Sequence, residues 1–309
     1  MTRQQTIVIG TRGSPLAIAQ AEEVKSRLLA AHGDLSDSEI ELRIFRTTGD
    51  KIQDKSLREF GGKGLFTKEI EDAMLAGEVD LGVHSSKDLP TDLPAGLVLS
   101  CLLEREDPRD AFISLNHASF EGLPEGAVVG SSSLRRAAQA LNIRPDLKIV
   151  EFRGSVNTRL RKLEEGVADA TFLACAGLNR LGMSGRITEA MAPEMMLPAV
   201  AQGAIGIESR IDDPRIDSRL EALNDDDTWT RVTAERAFLA ALDGSCRTPI
   251  AALAELVDGE MLFHGEILTP DGETCHTAMR RGSASDAFVI GDDAGRDLKA
   301  VAGPNFFTD

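Results

Sequence analysis

Tyrosine is absent from the 309-residue chain, tryptophan occurs once, and aromatic residues make up only 4%. A surface that stacks nucleobases needs several rings, so single-stranded nucleic acid is a poor fit. Positive charge is scarce too: 34 Lys and Arg stand against 50 Asp and Glu, a formal net charge of -16. A field of that sign repels polyanions and argues against nucleic acid of any form. No run approaches the ~20 apolar residues of a membrane-spanning helix. The cysteines, Cys101, Cys175, Cys246 and Cys275, form no Cys-x-x-Cys pair, and the histidines are scattered without a His-Glu-x-x-His spacing. No metal site is expected. The N-terminus runs from Met-Thr-Arg-Gln-Gln-Thr straight into Ile-Val-Ile. It lacks the apolar segment and cleavage site of a signal peptide, so a cytoplasmic protein with reduced thiols is expected.

What is present is an alternation of strands and helices. Thr6–Gly10 reads as a buried strand, and Ser14-Pro15 as a helix start, with a capping hydroxyl before a proline at the first helical position. Residues 39–46 alternate apolar and polar at strand period, and residues 67–76 repeat at helical spacing before Gly77. Val79–Val83 and Leu97–Leu103 read as further strands. A second block repeats the theme from Asp110: strand-like runs at 111–115, 127–130, 147–152 and 170–174 feed helical patterns near 134–141, 156–165 and 178. Residues 204–209 return as a strand and 215–223 as a helix. A last block follows the acidic run Asp225-Asp226-Asp227, with a helix over 231–242 and hairpin signals at Asp258-Gly259 and Asp271-Gly272. The pattern predicts α/β domains with parallel sheets covered on both faces, followed by a small α+β domain.

Within this acidic chain the arginines gather in two short stretches. Residues 131–136 read Ser-Ser-Ser-Leu-Arg-Arg, and residues 153–161 read Arg-Gly-Ser-Val-Asn-Thr-Arg-Leu-Arg. Each follows an apolar run and opens a helix. Hydroxyls, free backbone N–H groups and guanidinium forks there suit a small molecule bearing several carboxylates or phosphates. Capping of the helix by the serines themselves is the lesser alternative. The segment His84-Ser85-Ser86-Lys87-Asp88 follows an apolar strand, where α/β sheets place their sites, and offers a carboxylate beside an ammonium. An exposed Lys-Asp pair on a solvated turn has the same spacing. Gly61-Gly62-Lys63-Gly64 lacks the pattern of a phosphate-binding P-loop and reads as a loop carrying one cation, Lys63. Cys101 and Cys175 lie in apolar runs and read as inert core thiols. Cys246 sits in a polar turn beside Arg247, which favours thiolate. A covalent role and a plain loop thiol both remain open on that ground. A non-catalytic binder of small polyanions and a serine or cysteine hydrolase using Ser86 or Cys246 are the rival readings. The second has no recognisable base beside either residue.

The ordered series of motifs resembles the porphobilinogen deaminase (hydroxymethylbilane synthase) family. It comprises Thr11-Arg12-Gly13-Ser14-Pro15-Leu16-Ala17, Gly-Gly-Lys-Gly-Leu-Phe at 61–66, Val-His-Ser-Ser-Lys-Asp-Leu-Pro at 83–90 and Glu-Arg-Glu-Asp-Pro-Arg-Asp-Ala at 104–111. It continues with Gly-Ser-Ser-Ser-Leu-Arg-Arg at 130–136, Arg-Gly-Ser-Val-Asn-Thr-Arg-Leu at 153–160 and Ala-Gln-Gly-Ala-Ile-Gly-Ile-Glu at 201–208. The resemblance implies a transferase that condenses four porphobilinogen molecules head to tail, releasing ammonia, to give hydroxymethylbilane for haem biosynthesis. It implies a dipyrromethane primer bound through a thioether to Cys246, and Asp88 as the essential carboxylate. It places Arg12, Ser14, Lys63, Ser85, Lys87, Ser131, Ser132, Ser133, Arg135, Arg136, Arg153, Arg159, Arg180 and Gln202 around primer and substrate. It also implies two domains like those of periplasmic binding proteins, residues 1–104 with 204–221 and residues 105–203, and a third, 222–309, carrying the cysteine. A monomer is implied, with no nucleic-acid or membrane partner. The chain departs from the family at Glu59, where a lysine is common, and at Ser245, where a glycine is usual.

Overall fold

The computed structural model describes residues 6–51, 66–244, 248–304 and 306–307. The chain divides into two compact units, residues 1–105 with 204–229, and residues 106–203 with 230–309. The first unit contains β1 (Ile7–Arg12), α1 (Pro15–Ala31), β2 (Ile40–Phe45), α2 (Thr48–Lys51), α3 (Lys68–Leu75), β3 (Leu81–Ser85) and β4 (Leu97–Leu102). The later segment adds β10 (Ile205–Arg210) and α7 (Pro214–Leu220). These strands form one sheet in the order β2-β1-β3-β10-β4. β1 runs parallel to β2 and β3, whereas β10 runs antiparallel to β3 and β4.

Side-chain alternation covers both faces of this sheet. Ile7, Ile9, Leu81, Val83, Ile205 and Ile207 pack under α1 and α7. Val8 turns the other way, to Ile70 and Met74 of α3. The expected start of α1 is observed: the Ser14 hydroxyl accepts a hydrogen bond from the Ala17 amide at 3.2 Å, with Pro15 the first helical residue.

The second unit contains β5 (Asp110–Ser114), β6 (Val128–Gly130), α4 (Leu134–Ile143), β7 (Lys148–Val150), α5 (Val156–Glu164), β8 (Ala170–Ala174), α6 (Cys175–Arg180) and β9 (Glu189–Ala190). Its sheet has the order β7-β6-β8-β5-β9. β6 is parallel to β7 and β8, and β5 is antiparallel to β8 and β9. Strand for strand this repeats the first sheet. The antiparallel member comes late in the chain in one and early in the other. The expectation of wholly parallel sheets is therefore corrected. Each sheet takes in one strand from across a crossover of the chain, and that strand enters reversed.

A helix, α8 (Asp226–Ala241), leads to an antiparallel sheet of β11 (Ile250–Val257), β12 (Glu260–Leu268) and β13 (Cys275–Ser283), and then to α9 (Ala287–Ala302). α8 begins five residues before the expected position. Asp226 and Asp227 of the acidic run read as a boundary lie in its first turn, where they complement the positive end of the helix dipole. The β11–β12 turn has positive φ at both Asp258 and Gly259, as a two-residue hairpin requires. α9 packs closely on α8 at Gly291, where a Cβ would run into the carbonyl of Ala234. Among the described residues no helix is long and apolar enough to cross a membrane.

Candidate active site

The C-terminal ends of β1 and β3 lie side by side because the two strands are parallel neighbours. β1 ends at Arg12 and β3 at Ser85, and one turn of 3-10 helix, Ser86–Asp88, follows β3. Arg12, Ser14, Gln20, Ser85, Phe66 and Asp88 all line one cleft of about 60 Å³. Ser85 exchanges hydrogen bonds with the Gln20 amide at 2.9 and 3.2 Å. The Arg12 guanidinium lies 4.3 Å from the centre of the Phe66 ring, a cation–π contact that holds the charge at the rim. Asp88 and Lys87 are both half-buried. The cleft thus combines a guanidinium, hydroxyl and amide groups and one carboxylate. That set can hold an acid arm and, at the same time, stabilise positive charge on a neighbouring ring. Lys63 lies outside the described residues.

The second sheet uses its basic strand-end motif differently. Ser133 caps α4, its hydroxyl accepting from the Arg136 amide at 3.4 Å. The Ser132 hydroxyl accepts from the Phe152 amide at 3.0 Å, and that of Ser131 accepts from the Ser133 amide at 3.2 Å. Arg135 and Arg136 are each only 5% exposed. Both turn inward onto Asp110, at 2.6 Å each. Arg135 also donates to the Leu197 carbonyl at 2.8 Å and to Gln139 at 3.1 Å, and Arg136 donates to the Phe172 carbonyl at 3.0 Å. Gln202, fully buried, donates to Asp110 at 2.9 Å and to the Pro108 carbonyl at 2.7 Å. Burial pushes the Asp110 carboxyl up, but the Arg135 and Arg136 guanidiniums outweigh it and hold the group well below the usual carboxylate range.

Arg135, Arg136 and Gln202, read from the sequence as ligand-facing, are each engaged by Asp110 in this structure. A buried acid opposite α4 claims them, because two guanidiniums in a dry interior need a fixed counter-charge. The serine hydroxyls, too, are engaged in holding the local backbone. The remaining residues keep a more exposed setting. Arg153, half-buried, pairs with Glu151 at 2.6 Å. Arg159 donates to the Gly154 carbonyl at 2.9 Å, and Arg180 to the Gly203 carbonyl at 3.0 Å.

Burial pushes the thiols of Cys101 and Cys175 up to about 12, in keeping with inert core residues. Cys246 lies outside the described residues, as do Ser245 and Glu59. Sequence reasoning passed over Asp110, although it stands inside a quoted motif. It also passed over Glu208, buried in β10 beside His84 of β3. The available signal was an ionisable residue within an otherwise apolar strand.

Two family models match the chain. "Porphobilinogen deaminase, dipyromethane cofactor binding domain" covers residues 7–218, and "Porphobilinogen deaminase, C-terminal domain" covers residues 229–300. The chain belongs to the porphobilinogen deaminase family. A porphobilinogen deaminase from Paracoccus denitrificans (strain Pd 1222) is 58% identical over 304 residues, 98% of this chain and 97% of that protein. One from Nitrobacter hamburgensis (strain DSM 10229 / NCIMB 13809 / X14) is 53% identical over 300 residues, 97% and 95% of the two. Among solved structures, a periplasmic substrate-binding protein of an ABC transporter from Coxiella burnetii has a TM-score of 0.43 and 16% identity over 75% of this chain and 97% of its own. A periplasmic binding protein from Salmonella typhimurium has a TM-score of 0.40 and 12% identity over 71% and 92%. The cleft fits the family's cofactor in its donor set: cationic and hydroxyl groups for acid arms, and a carboxylate for pyrrole N–H groups.

Proposed function

We propose that the chain condenses four porphobilinogen molecules head to tail, with loss of ammonia, to hydroxymethylbilane on a dipyrromethane primer carried by Cys246. The observation that carries the reading is Asp88 at the end of β3, sharing one cleft with Arg12, Ser14 and Ser85. When bound, the primer supplies a free pyrrole carbon that accepts the incoming unit. Asp88 faces the pyrrole nitrogen of the incoming unit and stabilises the positive charge that develops as the amine departs. Arg12 and Ser14 hold an acid arm in the first unit, with Lys87 and Lys63 adding positive charge. In the second unit, Arg153, Arg159 and Arg180, with Ser131, Ser132 and Ser133, form the corresponding strand-end set. Arg135, Arg136 and Gln202 support that set from below through Asp110. The division into three domains is retained, residues 222–309 carrying the cysteine. The reading includes a cytoplasmic monomer, checked by cell fractionation and sedimentation.

Intact mass of the purified active chain tests the primer assignment. The expected mass exceeds that of the bare sequence by a dipyrromethane, and the excess disappears in Cys246→Ala together with product formation. A bare mass in a chain that makes the tetrapyrrole would reject the assignment.

A further inference from the structure

Beneath the Asp88 turn lies a second buried ionisable group for which the reaction as described has no use. His84 pairs in register with Gly206, and Gly82 with Glu208, so His84 and Glu208 are diagonal neighbours on one face of the sheet. Nε2 of His84 stands 3.0 Å from a Glu208 carboxylate oxygen, and the two side chains are 3% and 0% exposed. Glu71, from α3 on the same face, is also buried. Burial pushes the Glu71 carboxyl up. The Thr67 hydroxyl pulls it down, the Glu208 charge pushes it further up and His84 opposes that. Gly82 leaves room for the imidazole: a Cβ there would stand 2.7 Å from Nε2 of His84.

These groups are placed by distance rather than by regular hydrogen bonds. Both Glu208 oxygens, Nε2 of His84, Oε1 of Glu71 and the Ser86 hydroxyl lack a well-angled partner among the described residues. Two carboxylates sealed beside one imidazole cannot both ionise without a large electrostatic penalty. Burial favours the neutral acid at Glu71, which leaves Glu208 as the carboxylate nearest the imidazole. Among the described residues, the ionisable groups around the imidazole are Glu208 from β10 and Glu71 from α3, and Asp72 acts on Glu71 from the same helix.

We propose that His84 is a positioning residue: as an imidazolium paired with Glu208 it adds a side-chain tie to the β3–β10 ladder directly before the Ser86–Asp88 turn and thereby fixes that turn. The β3–β10 ladder runs up to Ser85 opposite Ile205, and beyond it the Ser86 amide donates to the Ala204 carbonyl at 3.0 Å. Asp88 is two residues beyond that tie. The kinetic part of this inference rests on the function proposed above, and the charge assignment does not.

Two measurements on the full chain test it. The first is ¹⁵N NMR of the histidine rings near neutral pH, with the His84 signal assigned through His84→Gln. If that variant does not fold, replacing the other histidines one at a time gives the same assignment. Both ring nitrogens of His84 are expected to be protonated, and a neutral tautomer overturns the proposal. The second is a kinetic comparison of two isosteric changes. Glu208→Gln removes the counter-charge and should lower kcat about tenfold with KM changed less than about twofold. Glu71→Gln copies a neutral acid and should lower kcat by less than about threefold. Equal losses in the two variants overturn the assignment. A wild-type chain that makes no tetrapyrrole would instead overturn the proposed function, leaving the NMR result to judge the imidazolium.

Discussion

The antiparallel strand of each sheet carries one buried acid, and the two acids are treated in opposite ways. Asp110 of β5 is met by two guanidiniums and an amide, with its carboxylate fully engaged. Glu208 of β10 is met by one imidazole at hydrogen-bond distance but without hydrogen-bond alignment. A saturated buried acid is a fixed post, because removing any partner strands a charge in a dry interior. An undersaturated one is a place where strain or function collects. The strand-end edges above them differ in the same sense. The first edge gathers Arg12, Ser14, Ser85 and Asp88 around a cleft. The second turns its paired arginines inward and leaves Arg153 and Arg159 in more exposed positions. Similar topology and similar residue types thus yield an open cleft at one sheet and a closed ion-pair cluster at the other.

The sharpest way to break this contrast is Asp88→Ala. With the carboxylate at the reacting centre, product formation should fall by about 10²–10⁴-fold while circular dichroism and the thermal midpoint stay near wild type. Near-normal turnover would remove Asp88 from the chemistry. Asp110→Asn should do the reverse. It leaves two guanidiniums without their counter-charge and should destabilise the second unit by about 3–5 kcal/mol in urea unfolding.

The pH dependence follows the same acid. The Asp110 value in the folded chain is depressed, so its stabilisation is present above the unfolded carboxylate value of about 3.9 and is lost as pH falls through the lower folded value. Wild-type stability should therefore drop more steeply below about pH 4 than that of Asp110→Asn, measured by urea midpoints across that range. Parallel curves would contradict the ion-pair cluster.

A smaller effect is expected from Arg153→Leu, which should weaken primer loading or substrate binding about tenfold with the fold retained. If it unfolds the second unit as Asp110→Asn does, the distinction between ligand-facing and supporting arginines is wrong. Least of all should follow from Arg296→Leu, which removes an exposed pair with Asp292 on α9. Product formation and thermal midpoint should not change measurably.

Most elements were legible along the chain because each carries its own local signal. Ser14-Pro15 started α1 as expected, and Asp258-Gly259 made its hairpin turn. The early start of α8 was missed because Asp225-Asp226-Asp227 has the composition of a linker as well as of a first helical turn. β9 was missed because two residues, Glu189 and Ala190, show no period. In the candidate site, the position of Asp88 at a strand end followed from the apolar run before it. The inward turn of Arg135 and Arg136 did not, since their partner lies 25 and 26 residues away in a strand that enters the sheet reversed.

By itself the sequence determined the alternation of helices and strands, the family, and which residue types were available to hold a polycarboxylate. Local backbone preference and hydrophobic period act over a few residues and are written in order along the chain. Which of those charges meet each other was set by the folded arrangement of the chain. The two crossovers of the chain bring Asp110 to the arginines and Glu208 to His84, and pairing between charges depends on distance in space and on burial, neither of which is written along the chain.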